Sequence, residues 1–150
     1  MRIVIQRVTE ASVAIDGEIH SAINHGFMVL VGVREGDSED DAKWLAMKTV
    51  NLRVFDDENG VMNRNILDAG GEVLAVSQFT LNASTKKGNR PSYIHAAGHD
   101  LAVPLYELYC KEVEQLMNKE VKCGVFGANM QVSLINDGPV TIIIDSRQRE

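Results

Sequence analysis

Val73-Leu74-Ala75-Val76-Ser77-Gln78-Phe79-Thr80-Leu81 is an apolar run that ends in polar side chains. Its first four residues read as a buried strand. Burying an unpaired hydroxyl or amide costs about 1–3 kcal/mol, so polar atoms seldom interrupt such a run without a partner or a task. Here Ser77, Gln78 and Thr80 arrive in quick succession. Strand alternation places Ser77 and Phe79 on one face, and Gln78 and Thr80 on the other. A polar loop, Asn82 to Asn89, follows. Two readings are open from these residues. One is a strand with satisfied edge hydroxyls; the other is the floor of a small-molecule site beside a loop.

Upstream, Ile3, Ile5 and Val8, then Val13 and Ile15, suggest two short strands. Asp16-Gly17 is a two-residue hairpin signal joining Ala11–Ile15 to Glu18–Ile23. Gly26-Phe27-Met28-Val29-Leu30-Val31-Gly32-Val33 is continuous and apolar, as a central strand covered on both faces must be. Ser38 with Asp41 three residues on reads as a helix cap, and Glu39 and Asp40 suit the positive end of the helix dipole. The apolar stripe Ala42, Leu45, Ala46, Thr49 and Leu52, widened by Trp44 and Met47, carries that helix to Leu52. Arg53-Val54-Phe55 resumes as a short strand, and Asp56 to Gly60 and Asn65 to Gly71 are turns.

Downstream, Leu101, Leu105, Leu108, Tyr109, Val113, Leu116 and Met117 follow a 3.6-residue period. Pro104 belongs in a first helical turn, which predicts a start at Leu101 or later with Asp100 as the cap. Lys122–Ala128, Met130–Asn136 and Val140–Asp145 read as strands, the last two separated by Asp137-Gly138-Pro139. Many strands with two amphipathic helices predict an α+β fold: a curved, barrel-like sheet with the helices packed on it, in a single domain spanning 1–150.

Composition limits the function. The chain has 150 residues, a net charge of −6 and two cysteines without a CxxC spacing. This argues against a disulfide framework and a zinc site, and fits a reducing cytosol. The charge has the wrong sign for coating long nucleic acid, but allows a grip on a few nucleotides. No run reaches membrane-spanning length, and Met1-Arg2-Ile3-Val4-Ile5 begins with strand alternation, not a signal pattern. The carboxylates of Asp56-Asp57-Glu58 lack the full calcium-loop pattern. His20, His25, His95 and His99 stand beside no nucleophile elbow and show no ligand spacing. Arg7, between apolar neighbours, needs carbonyl or carboxylate partners if it points inward. Lys86-Lys87-Gly88-Asn89-Arg90 concentrates three of the fifteen basic residues. It is either a solvated loop or a seat for a phosphate or a nucleic-acid end.

Ser77-Gln78-Phe79-Thr80-Leu81, Phe126-Gly127-Ala128 with Met130, and Asn136-Asp137-Gly138-Pro139-Val140-Thr141 resemble the signatures of the D-aminoacyl-tRNA deacylase family. Met1 to Val8 and the hairpin after it are similar as well, so the resemblance covers the whole chain. It implies a cytoplasmic homodimer with active sites at the interface, acting on the 3′ end of aminoacyl-tRNA, with no membrane or DNA partner, no cofactor and no metal. The reaction implied is hydrolysis of the ester joining a D-amino acid to the terminal adenosine, in some members with removal of glycine from alanine tRNA. By the same resemblance Ser77, Gln78, Phe79 and Thr80 line the pocket, and Phe126 and Met130 lie near the adenosine. Gly138 and Pro139 form a cis-peptide motif that enters the partner's pocket, and Arg7 fixes it. For the chemistry, one route makes Thr80 a nucleophile or base, which needs an activating neighbour. The other uses backbone N–H groups near Phe79 and Thr80 as an oxyanion hole, with the adenosine 2′-hydroxyl assisting water. The resemblance favours the second. A non-catalytic binder of a tRNA end and a hydrolase of free esters or amides are the rivals.

Overall fold

A computed structural model describes residues 1–150. It is organised on β1 (Arg2–Ile15), a 14-residue strand. Along one edge of β1 run β2 (Glu18–Ile23) and β3 (Gly26–Gly32), both antiparallel to it. They are nearly collinear: Ile23 faces Ala11 and Gly26 faces Val8, with a bend at Asn24-His25 between them. Parallel strands β6 (Glu72–Ser77) and β7 (Lys122–Cys123) extend the sheet beyond β3. The sheet curls until Ser21 on β2 donates its hydroxyl to the Cys123 carbonyl of β7 at 2.8 Å. On the other edge of β1 lies β8 (Gln131–Asp145). A ribbon of β4 (Phe55–Asp56) and β5 (Met62–Arg64) stands apart. The result is a nearly closed, barrel-like sheet carrying two helices, α1 (Glu39–Asn51) and α2 (His99–Met117), in agreement with the α+β expectation.

β3 is covered on both faces, which explains its unbroken apolar run. Phe27, Val29 and Val31 join the helix-side core with Ile3, Ile5, Leu45, Tyr109 and Val113. Met28 turns to the inner cluster with Val8, Val13, Leu74 and Val76. The sequence expectation of two short strands before Ile15 is corrected to one. Glu10 pairs Ile135 and Val8 pairs Asn136, so Thr9 is an extra residue in the ladder. That bulge shifts the phase of alternation, and the slip looks like a break in the sequence.

α1 is capped as expected, with the Ser38 N–H donating to Asp41 Oδ2 at 2.8 Å. Ala42, Leu45, Ala46 and Thr49 are buried, whereas Met47 faces solvent and Val50 takes its place in the core. α2 begins at His99 with Gly98 as its N-cap, two residues before the expected start at Leu101; Asp100 lies within its first turn. Pro104, expected in the first turn, is thereby corrected to a place inside the helix, in its second turn, where it has no N–H to give the Asp100 carbonyl. Leu116, assigned to the buried stripe, is exposed, while Ala102, Tyr106 and Cys110 are buried. β4 begins at Phe55, so Arg53 and Val54 precede it, and its partner β5 has no counterpart among the expected strands.

The two helices are tied by a buried polar pair. Thr49 Oγ1 donates to Leu45 O at 2.8 Å and lies 2.9 Å from Tyr109 Oη. Burial pushes the Tyr109 phenol well above its ordinary pKa, so it stays a donor. Thr49→Val strands that hydroxyl, at a cost of about 1–3 kcal/mol. In thermal unfolding this appears as a loss of about 2–12 °C for a chain this long. Adding Tyr109→Phe should recover part of it; no recovery would mean the two hydroxyls are not coupled.

No helix is long and apolar enough to cross a membrane.

Candidate active site

β6 stops at Ser77, and Phe79–Asn82 turn into a short 3-10 helix. The expected strand alternation through Thr80 is therefore corrected. Gln78 is the joint, with φ −146° and ψ 85°. Three bonds fix this turn against the sheet. The Gln78 N–H donates to Val31 O at 2.8 Å. Buried Asn82 donates Nδ2 to Val33 O at 3.0 Å, and Arg2 donates Nη1 to Leu81 O at 3.1 Å. The close approach depends on Gly32, where a Cβ would meet Gln78 O and Leu81 Cβ, both at 3.0 Å. The polar residues at the end of the run thus serve two ends: Asn82 holds the turn, and Ser77 and Gln78 face a cleft.

That cleft has a volume of about 580 Å³. Its floor is Val31 from the end of β3 and Val33 just beyond it, with Val76 and Ser77 from the end of β6 and Gln78 at the joint that follows. Phe79 stands at one rim, more than half exposed, with its ring 4.9 Å from Tyr93 in an edge contact. The opposite wall is the start of α2, with His99 and Ala102, and the segment Phe126–Met130. His99 meets Phe126 edge-on at 5.3 Å, and Tyr106 supports the same ring from beneath at 5.9 Å. Tyr106 donates to Ala75 O at 3.0 Å, and burial raises its phenol pKa well above the usual value, so it braces the wall without titrating. Gly124 leaves space for Met130, since a Cβ there would fall 2.5 Å from its Sδ.

The structure therefore brings Ser77, Gln78, Phe79, Phe126 and Met130 to one cleft, from two segments about fifty residues apart in the sequence. Thr80 is beside the cleft but not among its lining residues; its hydroxyl accepts a hydrogen bond from the Gln78 side-chain amide. His99 does line it. The sequence pattern starts α2 two residues later and so leaves His99 outside any site. No group of three or more His, Cys, Asp or Glu is assembled for a metal ion.

Arg7, Gly138 and Pro139 form a second cluster outside the cleft. Gln6 pairs Thr141 and Val8 pairs Asn136, so Arg7 stands opposite a four-residue excursion, Asp137–Val140, in an otherwise continuous β8. The expected division into two strands is thereby corrected to one strand with an outward loop. Buried Arg7 donates Nε to Asp137 O at 3.1 Å and Nη1 to Val54 O at 2.6 Å. Asn136 ties the base of the loop, donating Nδ2 to Arg7 O and Val140 O, each at 3.0 Å. The Gly138–Pro139 peptide is cis, and both residues are exposed at the tip.

Comparison with known proteins decides the family. The family model for D-Tyr-tRNA(Tyr) deacylase matches residues 4–145. The chain belongs to the D-Tyr-tRNA(Tyr) deacylase family. Proteins named D-aminoacyl-tRNA deacylase from Phocaeicola vulgatus and Dechloromonas aromatica are each 60% identical to it over 150 residues, covering all of both chains. One from Bacteroides fragilis is 61% identical over the same span. Among solved structures, a c-Myc DNA unwinding element binding protein superposes with a TM-score of 0.90 at 40% identity, covering 97% of this chain and 98% of that one. A probable eukaryotic D-amino acid tRNA deacylase shares the fold, with a TM-score of 0.81 at 15% identity and coverage of 95% and 97%. Both solved structures thus share this barrel-like sheet.

Proposed function

We propose that this protein hydrolyses the ester between a D-amino acid and the 3′-terminal adenosine of tRNA, releasing free amino acid and tRNA, and that it works in the cytoplasm, where tRNA is charged. The observation carrying the reading is the cleft, in a chain of this family. Its volume of about 580 Å³ falls in the range of about 300–1,000 Å³ common for small-ligand sites. Exposed rings at Phe79 and His99, with half-buried Phe126 packed edge-on against His99, suit stacking of an unpaired base. Ser77 and Gln78 supply polar anchors at the floor.

The Gly138–Pro139 tip lies outside the cleft of its own chain, and this supports a role in trans. In this reading two copies pair, and the tip of each enters the other's cleft. Its main-chain oxygens hold the substrate ammonium and fill the space that an L side chain needs. Exclusion by a fixed wall gives discrimination that attraction alone does not. It also leaves D side chains and glycine unchallenged, so glycine on alanine tRNA is a further substrate. The outer edge of β8 supports pairing: it has no strand partner in the chain and exposes Ile135 and Ile143, a surface isolated proteins avoid.

For the chemistry, Thr80 has Gln78 and not a base as its hydrogen-bond partner. A hydroxyl without a base is a weak nucleophile. The first N–H groups of the 3-10 turn, at Phe79 and Thr80, have no partner within the turn and are available to a developing oxyanion. The adenosine 2′-hydroxyl then assists the attacking water. Thr80→Ala should therefore keep turnover within about threefold of the parent, whereas a 2′-deoxy terminal adenosine should abolish it; the reverse pattern makes Thr80 the nucleophile. The activity itself is tested with D-tyrosyl-tRNA, L-tyrosyl-tRNA and a simple D-tyrosine ester. Only the first should be cleaved. Release from none identifies a binder, and release from the simple ester identifies a general esterase.

A further inference from the structure

We propose that the loop carrying Lys86, Lys87 and Arg90 grips the phosphodiester backbone of the tRNA end whose terminal residue occupies the cleft. This rests on the reading of the cleft given above. The loop leaves the cleft rim and returns to it. On the outgoing side, Phe79 of the rim leads through the 3-10 turn to Ser84. On the returning side, Ser92 leads to Tyr93, whose ring contacts Phe79, and on to Ala97 and His99 of the opposite wall. Ser84 and Ser92 close the loop with two backbone bonds of 2.8 and 2.9 Å.

Residues 85–90 are all exposed, and Gly88 turns the tip with φ +75°. None of the chain's ion pairs involves Lys86, Lys87 or Arg90. In a chain of net charge −6 these three cations form an uncompensated patch. Seven residues between the paired serines reach at most about 12 Å from the rim when folded back on themselves. A charge acts over about 8 Å at physiological salt, so the patch covers phosphates just before the terminal nucleotide. The other side of the rim repels them. Exposed Glu35, whose Oε1 accepts from the Gly98 N–H at 3.1 Å, and exposed Asp100 flank His99. An anionic backbone leaving the cleft is thus directed over the basic loop.

The test is a triple variant, Lys86→Ala, Lys87→Ala and Arg90→Ala, assayed on D-tyrosyl-tRNA and on the short substrate 3′-O-D-tyrosyl-adenosine. On D-tyrosyl-tRNA, kcat/KM should fall by about tenfold or more near 0.15 M salt, through KM. The slope of its logarithm against log salt should become shallower by about 2, at roughly 0.7 for each phosphate no longer neutralised. The short substrate should be cleaved as before, and the charge-preserving variant Lys86→Arg with Lys87→Arg should behave as the parent on both. Equal losses on both substrates would show that the loop shapes the cleft, and an unchanged salt slope would show that it touches no phosphate; either overturns the proposal. Should the parent cleave neither substrate, the enzymatic reading fails by itself. Filter binding of uncharged tRNA then judges the loop: about tenfold weaker binding by the triple variant upholds it, and equal binding overturns it.

Discussion

Replacing Arg7 with Ala is expected to lower kcat/KM for D-tyrosyl-tRNA by about a hundredfold or more, and to lower the unfolding temperature by about 5–12 °C. The side chain's contacts are unequal. Its ion pairs with Asp56 and Asp137, at 3.4 and 3.5 Å, involve carboxylates about half exposed, so each is worth no more than about 1 kcal/mol. The bond to Val54 O is 2.6 Å long and buried, and the bond to Asp137 O fixes one arm of the exposed loop. Charge-assisted bonds of this kind contribute about 1.5–3 kcal/mol each. Their loss, with a cavity left behind, gives roughly 3 kcal/mol, hence the temperature shift.

The larger effect on activity follows from position. If the Gly138–Pro139 tip acts in a partner's cleft, a displacement of about 1 Å at its base is enough for a hundredfold loss. Arg7→Lys keeps the charge but cannot span Val54 and Asp137 together, so it should fall between parent and Ala in both measurements. Activity is measured at least 20 °C below the variant's own unfolding temperature, with turnover of L-tyrosyl-tRNA beside it. A variant that unfolds earlier but deacylates normally would reduce Arg7 to a brace for Val54 and detach the loop from catalysis.

What the sequence made legible was whatever depends on local periodicity. The cap at Ser38–Asp41, the Asp16-Gly17 hairpin and the doubly covered strand at Gly26–Gly32 each carry their cause within a few residues. Errors gathered where a distant partner overrides the local pattern. The run through Thr80 stops being a strand because Val31, Val33 and Arg2 capture Gln78, Asn82 and Leu81. β1 looks broken because the bulge at Thr9 is defined by its register on β8, more than a hundred residues away. The candidate site divides in the same way. The motif around Ser77–Phe79 marked one wall. His99 carried no signal, since its place depends on Gly98 capping a helix that Asp100 seemed better suited to cap. Arg7 was visible as a charge in a strand with Ile3, Ile5 and Val8, but its acceptors, Val54 and Asp137, lie at sequence distances that no period reports.

Gly26→Ala is expected to cost more than about 4 kcal/mol, beyond what most single substitutions do. Gly26 begins β3 with φ +151°, and it pairs with Glu72 of β6 on one side and Val8 of β1 on the other. A Cβ there would overlap the Glu72 carbonyl oxygen and lie 2.6 and 2.8 Å from its backbone N and C. These are main-chain atoms that no rotamer change can move aside. Relief requires β3 and β6 to separate at this end, which also breaks the bond from Glu72 N–H to His25 O at 3.0 Å. A chain of this size is held by about 5–15 kcal/mol in total, so the variant should lose at least about 8 °C or fail to fold. Gly70→Ala is the control, because it also has positive φ, +66°, but nothing lies within 4 Å of its Cβ. Backbone strain alone should cost it about 1–2 kcal/mol. Unfolding both variants in urea separates the two contributions: a gap of about 2 kcal/mol or more at Gly26 is the clash with β6. Equal losses would mean that the strands part easily there, and that the β3–β6 pair, which carries Val31 and Ser77 to the cleft at its far end, is looser than its burial implies.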